Sequence, residues 1–305
     1  MNILFSIIMP NYNSNYLERA IRSVLVQSYS NWELILVDNH SKQSPSTFIN
    51  ELNDPRIRFF SIHNDGIIGK SRNYGIKKSR SDHILFLDSD DWFLKNKLVR
   101  LKNEIIQKKP DIIYHNTIIN YQNNKKIYKK SNFYKNNFYL NVLKFGNPIF
   151  NSSLYVNKNI LHAVNYISEN PKKVGWEDFD LILKCSSMSS NIVKLEDFLT
   201  NYWIDNNNFS TKEKFLSYIL KIKKDYIDTN VAFNGMTPFW ISAPLIKKNM
   251  DNFNYKDNLK ILNATVCYNF LDKAKLMSFL IINYYYFLSS KFINFLKKNL
   301  YEKWF

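Results

Sequence analysis

Cysteine is nearly absent: the 305 residues contain only Cys185 and Cys267. Two thiols cannot build a disulfide scaffold or a four-ligand zinc site, and they fit a reducing, cytoplasmic location. Acidic residues are scarce as well, 26 against 42 Lys and Arg, which leaves a formal net charge of +16. Long apolar runs are missing. The longest suspicious stretch, residues 276–290 (LMSFLIINYYYFLSS), is uncharged but only 15 residues long, short of the roughly 18–20 needed to cross a bilayer. The N-terminal MNILFSIIMP has neither a basic n-region nor a small-residue cleavage site, so it reads as a strand rather than a leader. His40, His63, His83, His115 and His162 show no metal spacing and no nucleophile partner, and read as structural or surface residues.

Apolar material is plentiful, with 45% hydrophobic and 16% aromatic residues, which excludes a disordered chain and suits one large or two small domains. The basic excess admits three partners: nucleic acid, an anionic membrane surface, or a negatively charged small substrate. It is unevenly spread. Residues 1–110 hold 16 basic and 11 acidic side chains, net +5, and residues 111–305 carry the remaining +11.

Strand-like and helix-like stretches alternate through the first hundred residues. Residues 4–9 are an apolar run closed by Pro10, Asn11, Asn13 and Ser14. Residues 16–27 put Leu17, Ala20, Ile21, Val24 and Leu25 on one helical face. Residues 33–37, 57–62 and 84–87 read as strands, and 70–79 and 95–108 as helices. Such alternation predicts an α/β fold, a mainly parallel sheet with helices on both faces. Ligands then bind beyond the carboxyl ends of the strands, where residues 10–13, 38–41, 63–72 and 88–91 should converge. Residues 121–135, rich in lysine, read as a mobile loop or hairpin, and the chain from 211 onward as mainly helical.

Asp88, Asp90 and Asp91 end an apolar strand within four residues. They suit Mg²⁺ or Mn²⁺ with its phosphate ligands, or are a solvated turn. Arg72, near a helix start, suits a diphosphate or is an ordinary surface arginine. Asp38 suits a base or ribose contact, or caps the next segment.

In order and spacing, Pro10-Asn11-Tyr12-Asn13, Ile35-Leu36-Val37-Asp38, Ser71-Arg72-Asn73-Tyr74-Gly75 and Phe86-Leu87-Asp88-Ser89-Asp90-Asp91 resemble the inverting glycosyltransferases of family 2. The resemblance is strongest over residues 4–110. It implies the GT-A fold: a Rossmann-like catalytic domain over 1–210, with a nucleotide-sugar-binding half (1–110) and an acceptor-binding half (111–210). A helical, basic–aromatic region would follow over 211–305. It also implies a UDP-sugar donor, a glycan or lipid-linked glycan acceptor of the bacterial surface-glycan type, and Mn²⁺ or Mg²⁺.

Carried over by position, Pro10 and Tyr12 would line the nucleotide site, Asp38 would contact the uracil and Arg72 would approach the diphosphate. Asp88 would sit near the ribose and the cation, and Asp90 would be the principal metal ligand. Trp176-Glu177-Asp178-Phe179-Asp180 resembles the family's Glu-Asp signature, which makes Asp178 the general base and places Glu177 and Trp176 in the acceptor site. Read without the resemblance, the same acids simply favour a helix N-terminus, and Trp176, like Trp240, is either a sugar platform or a buried ring.

Two departures stand out. Asp38-Asn39-His40-Ser41 replaces Asp-Asp-Gly-Ser, and residues 201–210 resemble Tyr-Arg-x-His-x-x-Ser-x-Ser with Trp203 for Arg and Asp205 for His. Asp205 is a third candidate metal ligand.

Residues 273–305 interleave aromatics with lysines and suit peripheral contact with the inner face of the plasma membrane, or a packing or oligomer surface. Nucleic acid is not an expected partner, since no nucleic-acid motif is present. The alternatives are a sugar-phosphate nucleotidyltransferase, whose Gly-rich N-terminal signature is missing, and a catalytically silent basic binding protein.

Overall fold

The computed structural model describes residues 2–134, 136–205, 212–251 and 255–286. Lys135, residues 206–211 of the downstream signature and residues 287–305 of the basic–aromatic segment lie outside the described residues.

The four apolar runs of the first hundred residues become parallel strands β1 (Phe5–Asn11), β2 (Trp32–Asp38), β3 (Ile57–Ser61) and β4 (His83–Phe86), in the order β3-β2-β1-β4. Between them run α1 (Leu17–Leu25), α2 (Ser46–Leu52) and α3 (Ile68–Lys78). β1 and β2 are buried from end to end, as a sheet covered on both faces requires. Period 2 divides β1 between two layers. Phe5, Ile7 and Met9 join Leu17, Ala20, Ile21 and Val24 of α1. Ile8 points the other way, toward α3. There a Cβ on Gly75 would lie 2.7 Å from Ile8 Cγ2, so glycine sets how closely helix and strand pack. Each such buried aliphatic side chain contributes about 1.5–3 kcal/mol. The sequence pattern missed α2, whose seven residues bury little more than Ile49.

The second half of the sheet is assembled differently. After β5 (Trp92–Phe93) come α4 (Lys97–Lys108), β6 (Ile112–Tyr121), β7 (Lys126–Lys129), α5 (Phe138–Phe145), β8 (Tyr155–Asn157), α6 (Lys158–Ala163), α7 (Glu177–Met188) and β9 (Ile192–Ile204). The full order is β3-β2-β1-β4-β8-β6-β9-β5, with β7 paired to β6. β8 runs antiparallel between β4 and β6, β5 runs antiparallel to β9, and β6 and β9 are parallel. The lysine-rich stretch is thus a hairpin, β6–β7. β9 bulges against β6: His115 pairs with Leu195, Asn116 with Phe198 and Thr117 with Thr200, so β9 carries three extra residues.

The chain divides into one unit of Met1–Phe138 with Pro148–Phe209 and another of Tyr139–Asn147 with Ser210–Phe305. The second contains α8 (Lys212–Ile222), β10 (Thr237–Pro238), α9 (Phe239–Asp251), α10 (Tyr255–Asn263), β11 (Thr265–Val266) and α11 (Phe270–Tyr286). Its core gathers Phe239, Ala243, Ile246, Leu262, Phe279 and Ile282. Trp240 belongs to this unit, where its indole N–H donates to the Leu143 carbonyl at 2.8 Å. Among the described residues, no helix is long and apolar enough to cross a membrane.

Candidate active site

The carboxyl ends of β1, β2 and β4 lie side by side, and the site is built on the turns that leave them. Asn11 and Asp38 are register partners at the ends of β1 and β2. Asp38 is 1% exposed and accepts from Asn11 Nδ2 (2.6 Å), Ser41 N (2.8 Å) and Ser41 Oγ (2.6 Å). Ser41 Oγ in turn accepts from Asn13 N at 2.8 Å. One carboxylate therefore ties two turns together, and Asn13 and His40 sit in left-handed backbone to allow it (φ 51° and 49°). Pro10 is buried within β1, whereas Tyr12 just beyond it is 61% exposed.

Arg72, on α3, is no surface arginine. It is 4% exposed, and its two terminal nitrogens donate to Asp88 Oδ1 and Glu177 Oε1, each at 2.8 Å. Those two carboxylates hold the guanidinium charged despite its burial. The next residue anchors the helix: Asn73 donates to the Ile167 carbonyl and Glu169 and accepts from Ile167 N. A Cβ on Gly69 would lie 2.5 Å from the Ser168 carbonyl oxygen, so only glycine admits this approach.

The Asp88–Asp91 turn is pinned from several sides. Asp91 N donates to the Asp88 carbonyl at 3.0 Å, and Asp88 N donates to Ser152 Oγ at 3.0 Å. Asn151 Nδ2 reaches Asp88 Oδ1 at 3.0 Å. Asp91 is fully buried and accepts from Trp203 N, a structural role rather than a ligand's. Arg19 of α1 donates to the Asp90 carbonyl at 2.7 Å, with its guanidinium 3.8 Å from the Trp92 ring and 4.7 Å from those of Tyr16 and Trp203. Asp205 Oδ2 accepts from Tyr16 Oη (2.9 Å) and Trp203 Nε1 (3.3 Å). Trp203, which stands in place of an arginine, thus supplies a ring that holds an arginine from elsewhere.

Burial and the negative charge of Asp88 and Asp205 push Asp90 up to about 6. Burial, with Asp90 and Asp88, pushes Asp91 well above the usual carboxylate range. Hard oxygen donors crowded until they resist ionisation are what a divalent cation relieves, so the chemistry of Asp88, Asp90 and Asp205 fits Mn²⁺ or Mg²⁺. Among the described residues, no three His, Cys, Asp or Glu side chains form a ready-made cluster.

α7 opens with Glu177, whose other oxygen accepts from Gly175 N at 2.6 Å. Asp178 follows, half-buried, with Oδ1 accepting from Phe179 N at 2.7 Å. Burial and then the neighbouring Glu177 raise it to about 7 against the opposing pull of Arg72. A carboxylate titrating near neutrality suits a general base. Trp176 is 3% exposed and donates its indole N–H to the Lys172 carbonyl at 3.2 Å, so its ring is packed inside rather than offered to a sugar. Glu177, 6% exposed, is likewise engaged with Arg72.

Sequence reasoning did not reach Arg19, Asn151, Ser152 or Tyr202. The Tyr202 hydroxyl is raised by burial and then by Asp91, Asp88, Asp90 and Asp178, which places it in the field of both the metal-side acids and the base. No local pattern marks these four. Arg19 is one polar residue of an amphipathic helix, and Asn151–Ser152 is a short polar turn.

The model of the family "Glycosyl transferase family 2" matches residues 6–167, just over half of the chain. Over 102 residues the chain is 43% identical to the putative colanic acid biosynthesis glycosyl transferase WcaA of Escherichia coli K12, covering 32% of this chain and 36% of that protein. It is 38% identical over 96 residues to the E. coli UDP-Glc:alpha-D-GlcNAc-diphosphoundecaprenol beta-1,3-glucosyltransferase WfgD, covering 31% and 38%. The matched stretch therefore spans less than two fifths of either relative. The crystal structure of S. aureus TarS 1-349 in complex with UDP-GlcNAc shares the fold, with TM-score 0.61 and 19% identity over 86% of this chain and 79% of that one.

Proposed function

The chain belongs to glycosyl transferase family 2, and from that membership we propose that it moves a sugar from a UDP-sugar to a hydroxyl of a glycan or lipid-linked glycan, with inversion. The observation that carries the proposal is the Arg72 bridge, which joins the donor-side Asp88 to Glu177, the neighbour of Asp178. The donor turn and the base helix are thereby one assembly.

In this reading Tyr12 and Asp38 border the uracil and Arg72 lies at the diphosphate. Asp178 takes the proton from the acceptor hydroxyl as its oxygen bonds to the anomeric carbon. The bond from that carbon to the UDP oxygen breaks on the opposite face, so the single displacement inverts the centre. Asp88, Asp90 and Asp205 would hold Mn²⁺ or Mg²⁺, which supplies positive charge to the departing diphosphate. A UDP-sugar is supported by TarS having been crystallised with UDP-GlcNAc, and a lipid-linked acceptor by the substrate in WfgD's name. A lipid-linked acceptor would keep the protein at the inner membrane surface.

A screen of UDP-sugars with Mn²⁺ tests this. UDP release with one donor is expected. No release with any donor and no UDP binding by calorimetry would overturn it, as would pyrophosphate formation from UTP and a sugar phosphate.

A further inference from the structure

β6 outruns its first partner. It pairs with β8 only at Ile112 and Ile113, then with β7 over Thr117–Asn120, while its other edge stays on β9 as far as Ile204, next to Asp205. The β6–β7 hairpin therefore rises from the rim of the candidate site. Every residue of β7 is exposed. Lys125, Lys126, Lys129 and Lys130 are exposed together with Ile127, Tyr128 (64%) and Phe133 (53%). Residues 121–134 contain no Asp, Glu or Arg. Tyr128 is steadied edge-on against Phe198 at 5.3 Å. The acid beside the hairpin, Glu196, is bound to Lys194, with Lys130 acting on it from further off.

We propose that this hairpin is a membrane-docking surface that meets anionic lipid headgroups. Three features select that partner. Exposed tyrosine and isoleucine interleaved with lysine suit the boundary between headgroups and acyl chains, whereas a soluble polyanion needs no apolar contact. Lysine without arginine offers point charges to a diffuse anionic surface, not forks for one phosphate. The position on the site rim would bring a lipid-linked acceptor toward Asp178. The proposal deepens the lipid-linked-acceptor reading and rests on it for its purpose, not for its test.

The full chain is sedimented with vesicles of phosphatidylcholine alone and of phosphatidylcholine mixed with phosphatidylglycerol. Binding to the mixed vesicles alone, weakening as salt rises, is expected. The combined Lys125→Gln, Lys126→Gln, Lys129→Gln and Lys130→Gln variant should bind about 100-fold more weakly, and Tyr128→Ser should weaken binding with all charges kept. Both should retain the wild-type melting temperature and UDP binding. Vesicle binding unchanged in the four-lysine variant overturns the proposal. So does tighter binding to soluble dextran sulfate than to vesicles with no effect of Tyr128→Ser. Lysine-dependent vesicle binding by a chain that turns over no UDP-sugar would support the hairpin and sink the transferase reading.

Discussion

Arg72 and Glu177 stand 105 residues apart in the chain, and their side chains meet at 2.8 Å. With Asp88 on its other nitrogen, also at 2.8 Å, Arg72 is a buried cation between two carboxylates. Removing one member of such a cluster leaves uncompensated charge. Arg72→Ala should cost about 3–5 kcal/mol of stability, read by urea unfolding. Arg72→Lys should recover only part of it, because an ammonium cannot span both acids as the fork does. Equal stability of the alanine variant and wild type would show that the cluster holds nothing together.

Asp178→Asn keeps the shape of the side chain and removes its basicity. Transfer should fall by about 10²–10⁴-fold while UDP affinity stays near that of wild type. The acid limb of kcat/KM in the wild type should lie near the value of about 7 set by burial and Glu177. Glu177→Gln, by deleting that neighbouring charge, should move the limb to lower pH. A limb that stays put assigns the base elsewhere.

Metal-free stability should fall as pH rises toward neutrality. A carboxyl whose folded pKa is raised, from 3.8 to about 7 for Asp178 and about 6 for Asp90, holds its proton more tightly in the folded chain. Its stabilising effect is full below about pH 4 and is lost as pH climbs through the folded value. Buried His115, held well below its ordinary value by desolvation, acts in the opposite sense below pH 6.5. Melting curves of wild type and Asp178→Asn in chelator separate the two. Asp178→Asn should gain on wild type between pH 5 and 8, and parallel curves would refute the raised pKa.

Asp90→Asn should weaken Mn²⁺-dependent UDP binding by at least about 10–100-fold in calorimetry, and leave metal-independent binding little changed. Arg19→Met tests the turn behind that carboxylate. Loss of three ring contacts and the Asp90 carbonyl bond should raise the donor KM more than it lowers kcat, with a lower melting temperature. An unchanged KM would make Arg19 purely structural.

The donor half was legible because its information is local. Buried parallel strands are apolar runs, and the turns behind them carry Asp38, Arg72 and Asp88 in order. The second half of the sheet was not. β8 has three residues and β5 two, and both exist through pairing with strands distant in sequence. Trp176 shows the same limit: an aromatic beside two acids reads equally as a sugar platform or as core, and only packing decides. Arg72 was found, but its carboxylate partners were not, since Glu177 is brought to it by the approach of α3 to residues 167–169.

The bulge in β9 has a consequence for how this chain tolerates insertions and deletions. The strand gains three residues on β6 between Leu195 and Thr200, and three is odd. Side chains alternate faces with period 2, so Trp203 and Asp205 owe the side they occupy to that parity. Losing one residue there would send both to the opposite face or tear the strand from its register. Losing two would keep their orientation. Length variants of this segment should therefore survive in even steps and fail in odd ones, as codons survive frameshifts only in threes.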